Sequence, residues 1–342
     1  MRAVYEFEKG VYSPHAGRKK MLKVVLKRFA QLIPTLLIVI LFTFVATRII
    51  PGNPLYAIIG DEYEPEIVDQ LMEEFGFNKP IFEQLLDYIN DILHGDFGQS
   101  FYFHVPAVDM IMMRLPNTLL LSGTSLLLSV IVGMLLGICC ACRQSTVLDY
   151  VLSVISILGV CAPVFWVAIM LVMVFSVHLG WLPVFGMGSL AEDGLFECLR
   201  HFILPCVCLC IGPVGSFTRL TRTSMIETLG NDSIRALRAR GISGRKIIFK
   251  HALKNALPPI LTVIGIQFAG CFSGAVLTEN IFTWPGMGTL ISSAIDNRDY
   301  SLIQAIVLVI AIAFVLINLL TDILYMLINP KIAFDASKGG KG

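Results

Sequence analysis

The sequence has little charge for its length. Lys, Arg, Asp and Glu together make up 15% of its 342 residues, whereas a typical soluble domain carries about 25%. Hydrophobic residues make up 56% of the chain, and a soluble protein of this size would need far more charge on its surface. The composition therefore excludes an ordinary soluble domain and indicates a membrane protein.

The sequence also has no phosphate-binding loop of the form Gly-x-x-x-x-Gly-Lys-Ser/Thr, in which backbone amides and a lysine hold phosphate groups. The run GISGRK, residues 241–246, has its glycines at a different spacing. We therefore expect any energy for transport to come from another chain or from an ion gradient.

Histidine and cysteine do not form a recognisable reactive pattern. None of the 6 histidines pairs with Asp or Glu at the spacing of a metal site or an activated nucleophile, which argues against a membrane-embedded enzyme. Cys206, Cys208 and Cys210 lie two residues apart, and such positions face different directions on a helix. We expect them to be packing residues, with a metal site as the alternative. The chain is expected to need no cofactor of its own.

Long apolar stretches are what the sequence contains instead. Crossing about 30 Å of hydrocarbon takes roughly 20 helical residues. Pro205, Gly212 and Pro213 interrupt the fourth stretch, which reaches this length only when residues 218–221 are added. The six predicted spans are residues 29–50, 118–142, 148–177, 202–217, 257–276 and 302–328. The fold class predicted is an all-α polytopic membrane protein with six transmembrane helices.

The distribution of Lys and Arg predicts the orientation, because cytoplasmic segments retain these residues. Of the 26 Lys and Arg residues, 21 lie in residues 1–28, 143–147, 218–256 and the stretch after residue 328. Both termini are therefore predicted to be cytoplasmic. The predicted organisation is an N-terminal cytoplasmic segment (1–28), a transmembrane domain (29–328) and a cytoplasmic tail (329–342).

The segment between the first two predicted spans, residues 51–115, is acidic and carries two helical patterns. Apolar residues recur at three- and four-residue spacing after Pro65, and again from Pro80 until Gly95. We expect two helices that cap the outer side of the bundle. They form either a docking or gating surface or a lid that only packs the spans, and the pattern leaves both open.

The loop at residues 218–256 carries nine of the cations in an otherwise apolar region. Asp232 or Ser233 can cap a short helix, Gly241 suits the left-handed ending of that helix, and Ser243 can cap a second helix toward residue 257. Pro258 and Pro259 would mark the change into the next span. The sequence thus predicts a helix-turn-helix elbow in the cytoplasm, with attraction of its cations to anionic lipid as the alternative role.

This loop resembles the EAA loop of ABC-importer permeases, whose pattern is Glu-Ala-Ala, three residues, Gly, nine residues, Ile-x-Leu-Pro. Ala236, Gly241 and Leu253 match it, whereas Arg235, Leu237 and Lys254 depart from it. The runs ARARGIS and HALKNALPP look like the version in the dipeptide, oligopeptide and nickel permease subfamily. Further segments resemble that subfamily in order: IPGNP (50–54), LHGDFGQS (93–100), LPNT (115–118) and ENIFTWPGMG (279–288).

The resemblance implies the permease fold of a type I ABC importer in a bacterial or archaeal cell membrane. It also implies a homologous second permease, two ATPase subunits that bind ATP and Mg, and an extracytoplasmic substrate-binding protein, with no nucleic acid. In that family the EAA loop is the coupling helix that enters a cleft on the ATPase, so Gly241 would form the turn and Ala236 a close contact. The residues assigned to ATPase coupling are Arg235, Ala236, Arg238, Arg240, Gly241 and Lys246.

The substrate implied is a dipeptide or oligopeptide, with nickel or a metal chelate as the alternative. A secondary transporter is the alternative from another class, and it would expose ionisable groups within its spans. Asp322, with Asn318 one turn away, is the main candidate, along with Gln267 and Gln304. Asp322 lies about 9 Å from the inner end of the last predicted span, at 1.5 Å per residue, which favours a hydrogen-bonded role near the interface.

Overall fold

The computed structural model describes residues 33–46, 73, 78–189 and 191–328, and this part of the chain is helical apart from turns and one isolated β-bridge. The predicted segments 1–28 and 329–342, the IPGNP motif and the helix predicted after Pro65 lie outside the described residues, as does the side chain of Asp322. The helices are α1 (Ile33–Ala46), α2 (Ile81–Leu93), α3 (Ala107–Cys142), α4 (Val147–Cys161), α5 (Val164–His178), α6 (Gly194–Gly230), α7 (Asp232–Ala239), α8 (Gly244–Ile281), α9 (Met287–Asp296) and α10 (Tyr300–Ile328).

Among the described residues, four helices are long and apolar enough to cross a membrane, namely α3, α6, α8 and α10. The bent pair α4 and α5 would make a fifth span if the two helices cross together. Helix α1 is also apolar, and its described part covers residues 33–46 of the first predicted span. The helical fold class is confirmed, and the described residues show four or five of the six predicted spans.

The prediction of one continuous helix at residues 148–177 is wrong. Helices α4 and α5 meet at an angle of 107°. Pro163 has no backbone N–H to donate, and its ring disfavours helical geometry at the residue before it. Ala162 is accordingly extended, with ψ at 127°, and the apolar stretch is divided there.

Helix α6 shows the opposite outcome, because it runs without a break from Gly194 to Gly230 through both Pro205 and Pro213. It packs closely along α3. A Cβ atom at Gly133 would come within 2.6 Å of the Phe217 Cβ atom, and one at Gly137 within 2.6 Å of the Thr221 Cβ atom. The loop predicted to begin at residue 218 therefore begins after Gly230.

Helix α8 likewise continues through Pro258 and Pro259, so the predicted change of helix at these residues does not occur. Its N-terminal part contains a six-residue π-helical segment, Ile247–Ala252. Helix α2 begins and ends close to the predicted limits, after Pro80 and before Gly95. The ring of Tyr88 on α2 stacks on that of Phe44 on α1 at a centroid distance of 6.0 Å, which places α2 beside α1.

Candidate functional site

The elbow, residues 231–244, joins α6 to α8 and contains α7. One face of α7 is apolar, and Ile234 on that face is 1% exposed. Ile234 packs with buried residues of α3, α6 and α8, namely Ile138, Ala141, Met225, Ile247, Ala252 and Ala256. Through this buried face the elbow packs against three long helices, α3, α6 and α8.

The turn after α7 is a Schellman motif, in which two backbone bonds close the helix end around a left-handed residue. Gly241 has φ at +78°. Its N–H donates to the Arg238 carbonyl at 2.9 Å, and the Ile242 N–H donates to the Leu237 carbonyl at 3.3 Å. The side chains of Leu237 and Ile242 both pack against the buried residues around Ile234. The prediction of a left-handed ending at Gly241 is confirmed.

The predicted N-terminal caps of α7 and α8 agree with the structure only in part. Helix α7 begins at Asp232, so Asn231 occupies the capping position, and its carbonyl accepts from the Ile234 and Arg235 N–H groups. Neither Asp232 nor Ser233 is the cap, which corrects that prediction. Ser243 does precede α8 as predicted, although its side chain makes no capping hydrogen bond. The backbone carbonyl of Ser243 accepts from the Ile247 N–H at 3.0 Å.

The six residues assigned to coupling are all exposed on the elbow or at the start of α8: Arg235, Ala236, Arg238, Arg240, Gly241 and Lys246. The Arg235 side chain is 72% exposed and approaches Asp232 at 3.5 Å, within the same helix. An exposed pair of this kind contributes little to stability. The elbow therefore combines an apolar face held by the bundle with cations directed away from it.

Phe249 is a residue that the sequence reasoning missed. It lies in the π-helical segment of α8, and 56% of its surface is exposed beside exposed Lys250. A π turn shifts the side chains that follow it around the helix, so α-helical periodicity does not report which of them face outward. An exposed aromatic ring thus lies beside a cation near the start of α8.

Two of the sequence motifs interlock at the opposite end of α8. Glu279 is fully buried, and its Oε1 atom accepts from Thr118 Oγ1 of the LPNT motif at 2.6 Å. Its Oε2 atom accepts from the Gly288 N–H at 2.5 Å. Thr118 Oγ1 in turn accepts from the Met287 N–H at 2.7 Å. Buried carboxylates and amides need such partners, and here the two motifs satisfy one another.

We call the contacts among Thr118, Glu279 and residues 287–288 the motif junction, and neighbouring residues add further hydrogen bonds to it. Trp284 Nε1 donates to the Asn117 carbonyl at 3.2 Å, and Asn117 Nδ2 donates to the Pro285 carbonyl at 2.7 Å. A Cβ atom at Gly286 would overlap the Glu279 carboxylate. Glycine is therefore required where the loop passes over this buried acid.

The end of the LHGDFGQS motif is hydrogen-bonded to the turn between α9 and α10. Asp299 is buried and accepts hydrogen bonds from Ser100 Oγ, from the Phe101 N–H at 3.2 Å and from the Leu302 N–H at 3.1 Å. Sequence reasoning missed Asp299, since no local pattern connects it to a motif about 200 residues earlier. This carboxylate holds the segment that precedes α3 against the start of α10.

A cavity of about 240 Å³ lies between α4, α5, α6 and α8. Its walls are rich in small residues, and Gln267 of α8 contributes a polar side chain. Helices α4 and α6 supply adjoining parts of the wall, including Gly159 and Gly212. The cavity lies beside the bend between α4 and α5.

The three clustered cysteines face two directions, as predicted from their spacing. Cys206 lies within 3.4 Å of Ser125 Oγ on α3, whereas the Cys208 thiol points to the Val164 carbonyl on α5 at 3.6 Å. In the part of the chain that the structure describes, no group of three or more His, Cys, Asp or Glu side chains is arranged to hold a metal ion. Cys206 and Cys208 are buried and pack against hydrophobic side chains of neighbouring helices.

The fold is similar to that of a chain in the MetNI methionine ABC transporter in an inward-facing conformation, CY5 native crystal form. The TM-score is 0.55 at 15% identity, over 65% of this chain and 97% of that chain. At this identity the likeness shows the fold alone. The aligned 65% of this chain thus shares the fold of that chain.

Relatives of higher identity cover nearly the whole sequence. The dipeptide transport system permease protein DppB of Alkalihalophilus pseudofirmus is 38% identical over 92% of this chain and 100% of its own length. The di/tripeptide transport system permease protein DppB of Pseudomonas aeruginosa is 36% identical over 91% and 99%. The glutathione transport system permease protein GsiC of Salmonella choleraesuis is 37% identical over 92% and 100%.

Two family models match the chain. Residues 21–122 match "Binding-prot-dependent transport system membrane comp, N-term". Residues 133–334 match "Binding-protein-dependent transport system inner membrane component". The resemblance that the motifs indicated is thereby confirmed. This chain belongs to the family of binding-protein-dependent transport system inner membrane components, and it is a permease subunit of such an importer.

Proposed function

We propose that this chain forms half of the path through which an ATP-driven importer carries dipeptides or oligopeptides across the membrane. Three relatives at 36–38% identity are named for dipeptides, di- and tripeptides and glutathione, which is itself a peptide. The cavity of about 240 Å³ between α4, α5, α6 and α8 is the part of the chain that we assign to the path. Nickel or a metal chelate is the alternative cargo.

The observation that carries the proposal is the construction of the elbow. Its apolar face is buried on α3, α6 and α8, while its cations Arg235, Arg238 and Arg240 remain exposed, as does Lys246 at the start of α8. Such a surface suits an acidic or polar partner cleft, and exposed cations increase the rate and specificity of association more than they increase affinity. We assign this partner to an ATPase subunit, with two such subunits binding ATP and Mg in the complete transporter.

The elbow is well placed to transmit force. Helix α6 ends at Gly230, and α8 begins at Gly244, so few residues separate two long helices. The Schellman turn at Gly241 fixes the direction of the chain between them. We propose that closure of the ATPases displaces the elbow and thereby rotates α6 and α8, which opens the cavity to the other side.

The topology that fits this function has six spans, with both termini and the elbow in the cytoplasm. Counting α1, α3, the bent pair, α6, α8 and α10 gives this number. Of the 26 Lys and Arg residues, 21 then lie on the cytoplasmic side. The motif junction and α2 would face outward, where the substrate-binding protein docks. A homologous second permease would complete the path.

The test is uptake by the complete transporter in vesicles, with ATP enclosed and the binding protein and a labelled dipeptide outside. We expect uptake that requires ATP and persists after a protonophore collapses the proton gradient. Uptake that follows the gradient and ignores ATP would contradict the proposal. Stimulation of ATP hydrolysis by nickel and not by dipeptides would identify the alternative cargo.

A further inference from the structure

Asp149 and Arg222 form a two-point ion pair between α4 and α6. Arg222 Nε donates to Asp149 Oδ1 at 2.6 Å, and Arg222 Nη2 donates to Asp149 Oδ2 at 2.8 Å. The Asp149 side chain is 1% exposed. A bidentate arginine–carboxylate pair fixes orientation as well as distance, so the two helices are held in one register at this point.

Asp149 is itself fixed by the start of its own helix. Its Oδ2 atom accepts from the Ser145 N–H at 3.0 Å, while Thr146 Oγ1 accepts from the Asp149 N–H at 3.4 Å. This reciprocal arrangement resembles a capping box, which satisfies the free N–H groups at a helix start. The ion pair therefore joins Arg222 to the first turn of α4 rather than to a freely rotating side chain.

Arg222 lies on the part of α6 that carries the elbow. It is one turn before Met225, which packs with Ile234 of α7. It is eight residues before Gly230, where α6 ends, or about 12 Å along the helix axis at 1.5 Å per residue. Any displacement of the elbow that moves the end of α6 must also move Arg222.

Beyond the ion pair, α4 follows α6 in the antiparallel direction by close contacts of small residues. A Cβ atom at Gly215 would overlap the Ser156 carbonyl, and one at Gly159 would come within 3.1 Å of the Ile211 carbonyl oxygen. Shape alone governs these contacts, whereas the ion pair is directional. The ion pair therefore adds a directional restraint on sliding to the steric one that these close contacts provide.

We propose that Asp149 and Arg222 are positioning residues that make α4 and α5 move together with the elbow. Helix α4 and helix α6 both line the cavity, so the pair would convert movement of the elbow into joint movement of two adjoining parts of the cavity wall. Without it, α6 could move while α4 stays behind, and ATP hydrolysis would continue with little transport. This inference rests on the proposed coupling of the elbow to an ATPase.

The experiment measures dipeptide molecules taken up per ATP hydrolysed by the complete transporter in vesicles. In Arg222→Gln and in Asp149→Asn we expect this ratio to fall about tenfold, in the range by which single residues alter coupling between sites, while ATP hydrolysis stays close to that of the unmodified complex. The matched control is Arg219→Gln, which removes an exposed cation one turn earlier on α6. Its ratio should not change.

The double variant Asp149→Asn/Arg222→Gln separates a shared function from general damage. Residues that act as a pair are not additive, so its ratio should equal that of either single variant. Where Arg222→Gln does not assemble, Arg222→Lys replaces it, because it keeps the charge and loses the two-point geometry; we expect a smaller fall in the ratio.

An unchanged ratio in Arg222→Gln or Arg222→Lys would overturn the inference, as would uptake and hydrolysis falling by the same factor. Multiplied losses in the double variant would also overturn it. Failure of the proposed function looks different, because the unmodified complex itself would then take up dipeptide without consuming ATP or take up no dipeptide at all.

Discussion

Thr118 Oγ1 lies 2.6 Å from Glu279 Oε1, and both side chains are buried although they are 161 positions apart in the sequence. This single hydroxyl also accepts from the Met287 N–H. It therefore supports the loop between α8 and α9 from two sides. The contact joins the LPNT and ENIFTWPGMG segments.

Replacing Thr118 with Val keeps the shape of the side chain and removes the hydroxyl. The Glu279 carboxylate then loses a donor and the Met287 N–H loses its acceptor, which should lower the free energy of unfolding by about 1–3 kcal/mol. Unfolding of the purified protein in mixed detergent micelles, followed by denaturant titration, measures this difference. Thr262→Val is the control, because the Thr262 hydroxyl is exposed and donates to the Pro258 carbonyl of its own helix. Equal stability of the two variants would contradict the role of Thr118.

Gly286→Ala tests the close passage of the loop over Glu279. The added Cβ atom overlaps the carboxylate. Overpacking of this kind lowers the free energy of unfolding by about 1–3 kcal/mol. We expect a lower unfolding midpoint and less assembled complex. Gly123→Ala is the matched control, because no atom lies within 4 Å of the added group; it should be neutral or slightly stabilising. A Gly286→Ala protein as stable as Gly123→Ala would show that the loop can move aside.

Gly241→Pro tests the turn of the elbow. Proline fixes φ near −65° and removes the N–H group, whereas Gly241 has φ at +78° and donates to the Arg238 carbonyl. We expect substrate-stimulated ATP hydrolysis and uptake to be lost while the bundle still folds. Gly241→Asn should retain part of the activity, since asparagine tolerates the left-handed region.

The control for Gly241 is Gly244→Ala. Gly244 has open space around it and no positive φ, so full stimulation is expected. Stimulation that survives in Gly241→Pro would refute the assignment of the turn.

Charge reversal at Arg238 tests the exposed cations. Arg238→Glu should weaken retention of the ATPase subunit during purification at low salt. The difference from the unmodified complex should shrink as the salt concentration rises, because salt screens interactions between exposed charges. Folding should be unaffected, since the side chain is exposed. Arg298→Glu makes the same change on an exposed residue beside the motif junction and should leave retention unchanged. Equal retention in both variants would argue for a lipid-facing role of the elbow cations.

The elbow shows how much of the site can be predicted from sequence. Local sequence signals predict the left-handed turn at Gly241 and the apolar face formed by Ile234 and Leu237. They also predict the exposed arginines between residues 234 and 241. The structure agrees with each of them. The capping residues were misplaced, because several adjacent polar residues can serve and the choice depends on the path of the chain. The exposure of Phe249 was not predicted, because no sequence pattern indicates the π-helical segment in which it lies.

The prolines show where local reasoning fails. Pro163 divides an apolar stretch, whereas Pro205, Pro213 and Pro258 lie inside unbroken helices. A proline removes the same hydrogen bond in each case. The outcome depends on how neighbouring helices support the backbone, as α3 does along α6. Likewise, the bonds that Asp299 makes to Ser100 and Phe101 join residues about 200 positions apart, so no local pattern could predict them.

The most direct test of the account places a photo-crosslinking amino acid at residue 236, which is exposed on the elbow, within the purified and complete transporter. We predict a crosslink to the ATPase subunit whose yield changes when ATP is added, and no such product from the same amino acid at residue 298. Crosslinking at residue 236 to lipid alone, in a complex that still contains its ATPases and transports dipeptide, would contradict the claim that the elbow is the coupling surface.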